Sequence, residues 1–193
     1  MKSLNVFLFL PLLIFNCSSI IKITKDPLYE KKVNFSKRIV IFSNPENKIT
    51  KMENLTLVDI SRDLINHHKE FIVYKPPQKF NGTCNREFSK VEGILYLTLL
   101  QNQLKNDLEI EMTASLLQCP ESKSIWSVTG KRKYSLSSTE NESLRNTYIQ
   151  KYGLGIGNRV NPYYQIMSEI IESLESPKLN KDEEDEKIEV DST

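Results

Sequence analysis

The chain has 193 residues, with 26 Lys and Arg against 25 Asp and Glu, so its formal net charge is +1. That balance offers no basic face for nucleic acid. Its hydrophobic fraction of 39% suits a globular core rather than a disordered or membrane-filling chain.

Lys2 starts a basic end, and Val6-Phe7-Leu8-Phe9-Leu10-Pro11-Leu12-Leu13-Ile14-Phe15 forms an apolar run. The run is about half the ~20 residues that a helix needs to span a bilayer, and Pro11 weakens it further. A basic start, a short apolar stretch and a cleavage point make a secretory signal. Residues 1–16 are therefore read as a signal peptide. Leu13-Ile14-Phe15-Asn16-Cys17 resembles a lipobox, in which a leucine sits four positions before a cysteine that becomes acylated. Asn16 stands where Gly or Ala is usual, so the match is to the relaxed lipobox of spirochaete lipoproteins. The resemblance implies that Cys17 carries the lipid and forms the mature N-terminus. Two or more acyl chains anchor a protein stably. A plain secretory signal with a chance cysteine is the alternative. Ser18 and Ser19 follow the cysteine, where Asp would imply retention at the inner membrane. The expected location is thus the outer membrane, lipid-anchored and facing the periplasm, with surface exposure as the alternative.

Removing sixteen of 193 residues leaves 177, enough for one domain with a real core, and loss of Lys2 brings the charge to about zero. Residues 17–37 read as a tether: lysines recur, Pro27 interrupts, and no period persists. Arg38-Ile39-Val40-Ile41-Phe42 is a β-branched run ended by Ser43-Asn44-Pro45, which predicts a strand. Leu57, Ile60, Leu64 and Ile65 share one face of a helix over about 53–68. Phe71-Ile72-Val73-Tyr74 predicts a second strand, stopped by Pro76-Pro77. Strand, helix, strand at this spacing suggests a βαβ-like start with a parallel pair.

Residues 76–91 form a loop holding Gly82 and Cys84, and residues 93–100 predict a third strand. Residues 108–118 alternate: Leu108, Ile110, Met112, Ala114 and Leu116 face one way, Glu109, Glu111, Thr113 and Ser115 the other. That pattern belongs to an antiparallel sheet covered on one side. A turn at Pro120-Glu121-Ser122-Lys123 leads to a fifth strand over 124–135. Thr139 and Glu142 have capping-box spacing, which predicts a helix over about 141–152. Gly153, Gly155 and Gly157 break it. Val160, Tyr163, Met167, Ile170, Ile171 and Leu174 mark a last helix over about 161–175. The run Asp182-Glu183-Glu184-Asp185-Glu186 is too charged to bury, so residues 177–193 read as a disordered acidic tail. The expected fold is α+β: a domain over 38–176 with one twisted, mostly antiparallel sheet of about five strands and helices on one face.

The candidate site residues are few. Cys84 and Cys119 would bridge in an oxidising compartment, closing a loop worth roughly 3–4 kcal/mol; two free buried thiols are the alternative. Neither has a CxxC or HxxxH companion, so no metal is expected. His67 and His68, the only histidines, sit at a helix end, where they suit the macrodipole. Gly153-Leu154-Gly155-Ile156-Gly157 lacks the spacing of a phosphate loop. Glu109 and Glu111 lie about 7 Å apart on a wet strand face, where simple solvation explains them. No GxSxG elbow appears. Lys131, Arg132, Lys133 and Tyr134 form a basic patch beside an aromatic, suited to anionic headgroups or an acidic partner. A charged edge strand that discourages stray pairing is the plainer reading of them. No catalytic residue and no cofactor are expected.

Several features resemble an uncharacterised lipoprotein family of spirochaetes and myxobacteria. They are Phe71-Ile72-Val73 after a helix, the strand before Cys119-Pro120, Ile125-Trp126, Tyr148 with Tyr152-Gly153, and Leu174-Glu175-Ser176-Pro177-Lys178-Leu179 followed by Glu186-Lys187-Ile188-Glu189. The motifs are structural, so the resemblance implies no active site. The element order is also similar to auxiliary envelope-lipoprotein domains, including partners of lipid-transport machines and activators of cell-wall synthases, a likeness of fold alone. The expected function is a non-enzymatic, periplasm-facing binding or accessory module with an envelope protein as partner. The alternatives are a surface lipoprotein that binds external or host ligands, and an enzyme acting on lipid or cell wall. The oligomeric state is left open.

Overall fold

A computed structural model describes residues 19–76, 80–84, 90–136 and 140–191. Cys17 and the signal segment lie outside these, as does Thr139.

Among the described residues, six strands form one mixed sheet in the order β1-β6-β5-β4-β2-β3. They are β1 (Ile20–Lys25), β2 (Arg38–Ser43), β3 (Ile72–Tyr74), β4 (Gly93–Leu104), β5 (Asp107–Gln118) and β6 (Lys123–Ser135). The helices are α1 (Tyr29–Val33), α2 (Lys51–His68), α3 (Glu142–Tyr152), α4 (Gly157–Glu172) and α5 (Lys181–Asp191). The βαβ start is present: β2 pairs in parallel with β3 after the α2 crossover, and also with β4. The meander β4-β5-β6 is antiparallel throughout. This is the expected α+β sheet with one strand more.

That extra strand lies in the segment read as a tether. Residues 20–25 pair antiparallel with β6, and residues 29–33 form α1, which buries Tyr29 and Val33. The acidic tail is likewise structured: residues 181–191 are helical and lie against β3. Both departures have one cause. β1 and α5 have almost no apolar period of their own, and each is held by partners more than a hundred residues away.

α2 and α4 cover one face of the sheet. α2 starts at a capping box in which Thr50 accepts from the Glu53 backbone at 3.2 Å and Glu53 accepts from the Thr50 backbone at 2.7 Å. This satisfies two backbone donors that a helix start leaves open. α3, in contrast, starts after Asn141 at φ 53° with no side-chain cap. Leu57, Ile60 and Ile65 of α2, and Val160, Tyr163, Met167 and Ile170 of α4, are buried against Ile41, Leu97, Ile110, Met112 and Val128. Gly130 marks a close approach. A Cβ there would meet Ile166 Cγ1 at 3.2 Å, so the position suits the smallest residue.

The opposite face divides in two. Across the meander it is polar: Thr113 and Thr129 hydroxyls meet at 2.9 Å, Ser115 and Ser127 at 2.8 Å. Near β2 it is apolar, where Phe42 packs against Phe80 and Tyr96 at ring separations of 5.4 and 5.7 Å. The covering loop includes the Cys84–Cys119 disulfide, with the two Cα atoms 5.4 Å apart.

Candidate functional site

The sheet places the predicted basic patch at the point where the chain enters the domain. β1 runs antiparallel to β6, so its first residue lies opposite Gly130. Ser19, just before it, is buried. Its backbone N–H donates to Glu169 at 2.6 Å, its hydroxyl donates to the same carboxylate at 3.1 Å, and its carbonyl accepts from the Lys131 N–H at 2.7 Å. Glu169 also accepts from Arg132 at 3.1 Å, and the Arg132 guanidinium lies 5.5 Å from the centre of the Tyr134 ring. Groups from β6 and α4 thus grip the chain just after Cys17.

The patch differs in charge from its sequence reading. Alternation turns Lys131 and Lys133 to the polar face and Arg132 and Tyr134 to the helix face. Lys131 pairs with Glu109 at 3.3 Å and Glu111 at 3.5 Å, and Lys133 with Asp107 at 2.7 Å. Glu109, first, and Glu111 hold the Lys131 ammonium above its ordinary pKa; Asp107 does the same for Lys133. Burial pushes the Tyr134 phenol up to about 12. The three cations are therefore neutralised in pairs, the two lysines by a row of carboxylates on β5 and Arg132 by Glu169. Such exposed pairs add little stability, because water and salt screen them. Sequence reading noticed Glu109 and Glu111 but not their register with β6. It also missed Glu169, which looks like any solvated helix residue until β1 pairs beside it.

Two further charged clusters join helices. Asp59 on α2 accepts from Arg62 at 3.0 Å and also from Lys151 and Tyr152 of α3. Burial by itself would raise this carboxyl, but the bonds from Lys151 and Tyr152 outweigh it and hold the pKa low. Desolvation and the bond to Asp59 push Tyr152 up to about 12. Glu53 accepts from Arg159 at 2.9 Å and Gln101 at 3.2 Å. Burial again opposes ionisation, and the Thr50, Arg159 and Gln101 bonds win. Each carboxylate is fully engaged by its neighbours, which suits bracing helices rather than proton transfer.

The remaining candidates stand apart. His67 meets the Asp63 carbonyl at 2.6 Å in the last turn of α2, and the His67 and His68 rings are 6.5 Å apart. Gly153 takes φ 91°, and Leu154–Ile156 make a 3-10 turn into α4. Among the described residues, no group of three or more His, Cys, Asp or Glu could hold a metal ion. No described helix is long and apolar enough to cross a membrane.

No protein-family model matches the sequence, and no curated protein matches it. Solved structures do. A dodecameric single-substitution variant of PelC from Paraburkholderia phytofirmans superposes with a TM-score of 0.50 at 12% identity, covering 79% of this chain and 97% of that one. The fold is therefore shared with PelC. The hypothetical protein CT253 from Chlamydia trachomatis gives 0.44 at 10% identity, over 71% of this chain and 94% of that one. Lipoprotein GNA1162 from Neisseria meningitidis gives 0.39 at 15% identity, over 63% and 98%.

Proposed function

We propose that this chain is a cell-envelope lipoprotein, acylated at Cys17 and lacking enzymatic activity, whose domain serves as a binding or accessory module facing the periplasm. One observation carries the reading. In the sequence the apolar run and Leu13-Ile14-Phe15-Asn16-Cys17 stop two positions before Ser19, the first described residue of the folded body, which is the spacing expected where an export signal meets a lipidated domain. The disulfide supports an exported destination, since such bonds persist in oxidising compartments.

Metabolic labelling with a palmitate analogue tests the anchor. The natural chain takes up label and Cys17→Ser does not; label on the Cys17→Ser chain overturns the reading. Crosslinking and pull-down from the native envelope tests the accessory role, with recovery of a stable protein partner as the expected result. Failure to recover one across conditions counts against that role while leaving the anchor standing.

A further inference from the structure

The two edges of the sheet differ. At one edge β3 is three residues long and is covered by α5. At the other, β1 is six residues long and, among the described residues, has a strand partner on one side only. This open edge carries apolar side chains: Ile21 is 60% exposed, Ile23 50%, and Leu28, just beyond, 60%. Lys22 lies between the two isoleucines, on the polar face opposite Thr129, and Lys25 shares the helix face with Ile23. Lys25 is paired with Glu175, whereas Lys22 and Lys31 have no ion-pair partner among the described residues. A surface cleft of about 390 Å³ here is lined by Lys25, Leu28 and Lys31 together with the carboxylates Asp26, Glu30 and Glu175. Glu175 is taken up by Lys25 and Asp26 by Lys32, which leaves Lys22 and Lys31 against Glu30.

Such an edge could pair with another protein strand. Two features hinder that outcome: the register slips between Ile20 and Lys22, and lysines stud the strand. A surface that resists a strand yet presents apolar tips among charged side chains, with cations in modest excess, suits a lipid headgroup layer, which needs no register.

Chain length points the same way. Ser19 is clamped by Glu169 and β6. Cys17 is two residues earlier, so its Cα lies within about 7 Å of that of Ser19. The β3 edge is five strand spacings away, about 24 Å. We propose that the exposed edge of β1, from Ile21 to Lys31, rests on the membrane surface beside the lipidated Cys17, so that the sheet meets the bilayer along this edge. The proposal rests on the lipid-anchor reading above. The occupant is the headgroup layer of an anionic bilayer.

The test uses the full acylated chain in vesicles of phosphatidylethanolamine and phosphatidylglycerol, with and without brominated acyl chains. Ile23→Trp and Leu28→Trp place reporters on the edge. Ile188→Trp places one on α5, at the far edge, where Ile188 is 69% exposed. Buried Trp126 supplies a constant background. Brominated lipid is expected to quench the reporters at 23 and 28 about twofold over that background and to leave the one at 188 unchanged. Lys22→Glu with Lys31→Glu is expected to weaken the quenching at 28 when phosphatidylglycerol is present, and not when it is replaced by phosphatidylcholine. Quenching equal at 188 and 23, or none at 23 and 28 in a chain whose mass shows the acyl groups, overturns the edge contact while sparing the anchor. Burial of the reporters that depends on protein concentration but not on bromine assigns the edge to a second copy and likewise overturns it. A chain with no acyl group at Cys17 removes both the anchor and the edge contact.

Discussion

α4 and α5 are neighbours in sequence and are attached to the sheet by different physics. α4 crosses β6 and buries Val160, Tyr163, Ile166, Met167 and Ile170. α5 buries only Glu183, and its side chains meet the body through charges. Arg38 donates to Glu186 at 2.6 Å and to Glu92 at 2.9 Å; Lys37 donates to Glu183 at 2.6 Å; Tyr74 also donates to Glu186. Apolar burial is insensitive to salt and to mild acid, whereas partly exposed ion pairs respond to both. One helix is thus built into the core, and the other is strapped over an edge by groups that can be switched off.

The largest expected effect sharpens the first half of that contrast. Met167→Ala removes a fully buried side chain and should cost about 2–5 kcal/mol in urea unfolding, with salt making little difference. Cys84→Ser with Cys119→Ser belongs to neither helix. It should lower global stability by about 3 kcal/mol through loop entropy, while the exchange rate of the α5 amides relative to the core stays as before.

Arg38→Met sharpens the other half. It leaves α5 without its central cation and should cost about 1–2 kcal/mol, concentrated locally. Hydrogen exchange over residues 181–191 should speed up strongly while the α4 amides keep their protection. Equal acceleration in both helices would break the comparison.

Acid should act in the same place. Arg38 holds the Glu186 carboxyl below its ordinary 4.5, and a hydrogen bond from Lys37, then one from the Asn180 backbone, do so for Glu183. A depressed carboxyl stabilises the fold above its unfolded pKa and loses that contribution as pH falls through the lower, folded value. Docking of α5 should therefore be intact above pH 4.5 and fade below it, ahead of the β4-β5-β6 core, as followed by amide exchange or NMR. The smallest effect belongs to the polar face. Lys131→Ala breaks exposed pairs with Glu109 and Glu111 and should leave the midpoint of urea unfolding unchanged, because water already screens those pairs.

Legibility followed the same division. The alternation in 108–118 and the stripe from Val160 to Leu174 could be read directly, because burial on one face leaves a period in the residues themselves. α4 nevertheless starts at Gly157, earlier than the stripe suggests, since the 3-10 turn feeds straight into it. β1 carries a β-branched run, Ile20, Ile21, Ile23 and Thr24, but no buried face to set it apart from a tether: all but Ile20 are exposed, and its partner residues 126–130 lie a hundred positions on. The patch at Lys131, Arg132 and Lys133 was visible as a run of cations. Its neutralisation was not, because register sets Glu111 opposite Lys131 and Glu109 opposite Lys133.

By itself, then, the sequence determined the apolar run before Cys17, the βαβ start, the meander and the α4 face. Each is a local pattern whose physics lies within a few residues. The tertiary structure alone decided that the stretch after Cys17 is the first strand rather than a leash, that the acidic end is a helix strapped to Arg38, and that Glu169 grips Ser19. Those contacts join residues 101 to 150 positions apart, and a hydrogen bond or ion pair of that span leaves no periodic mark in the chain.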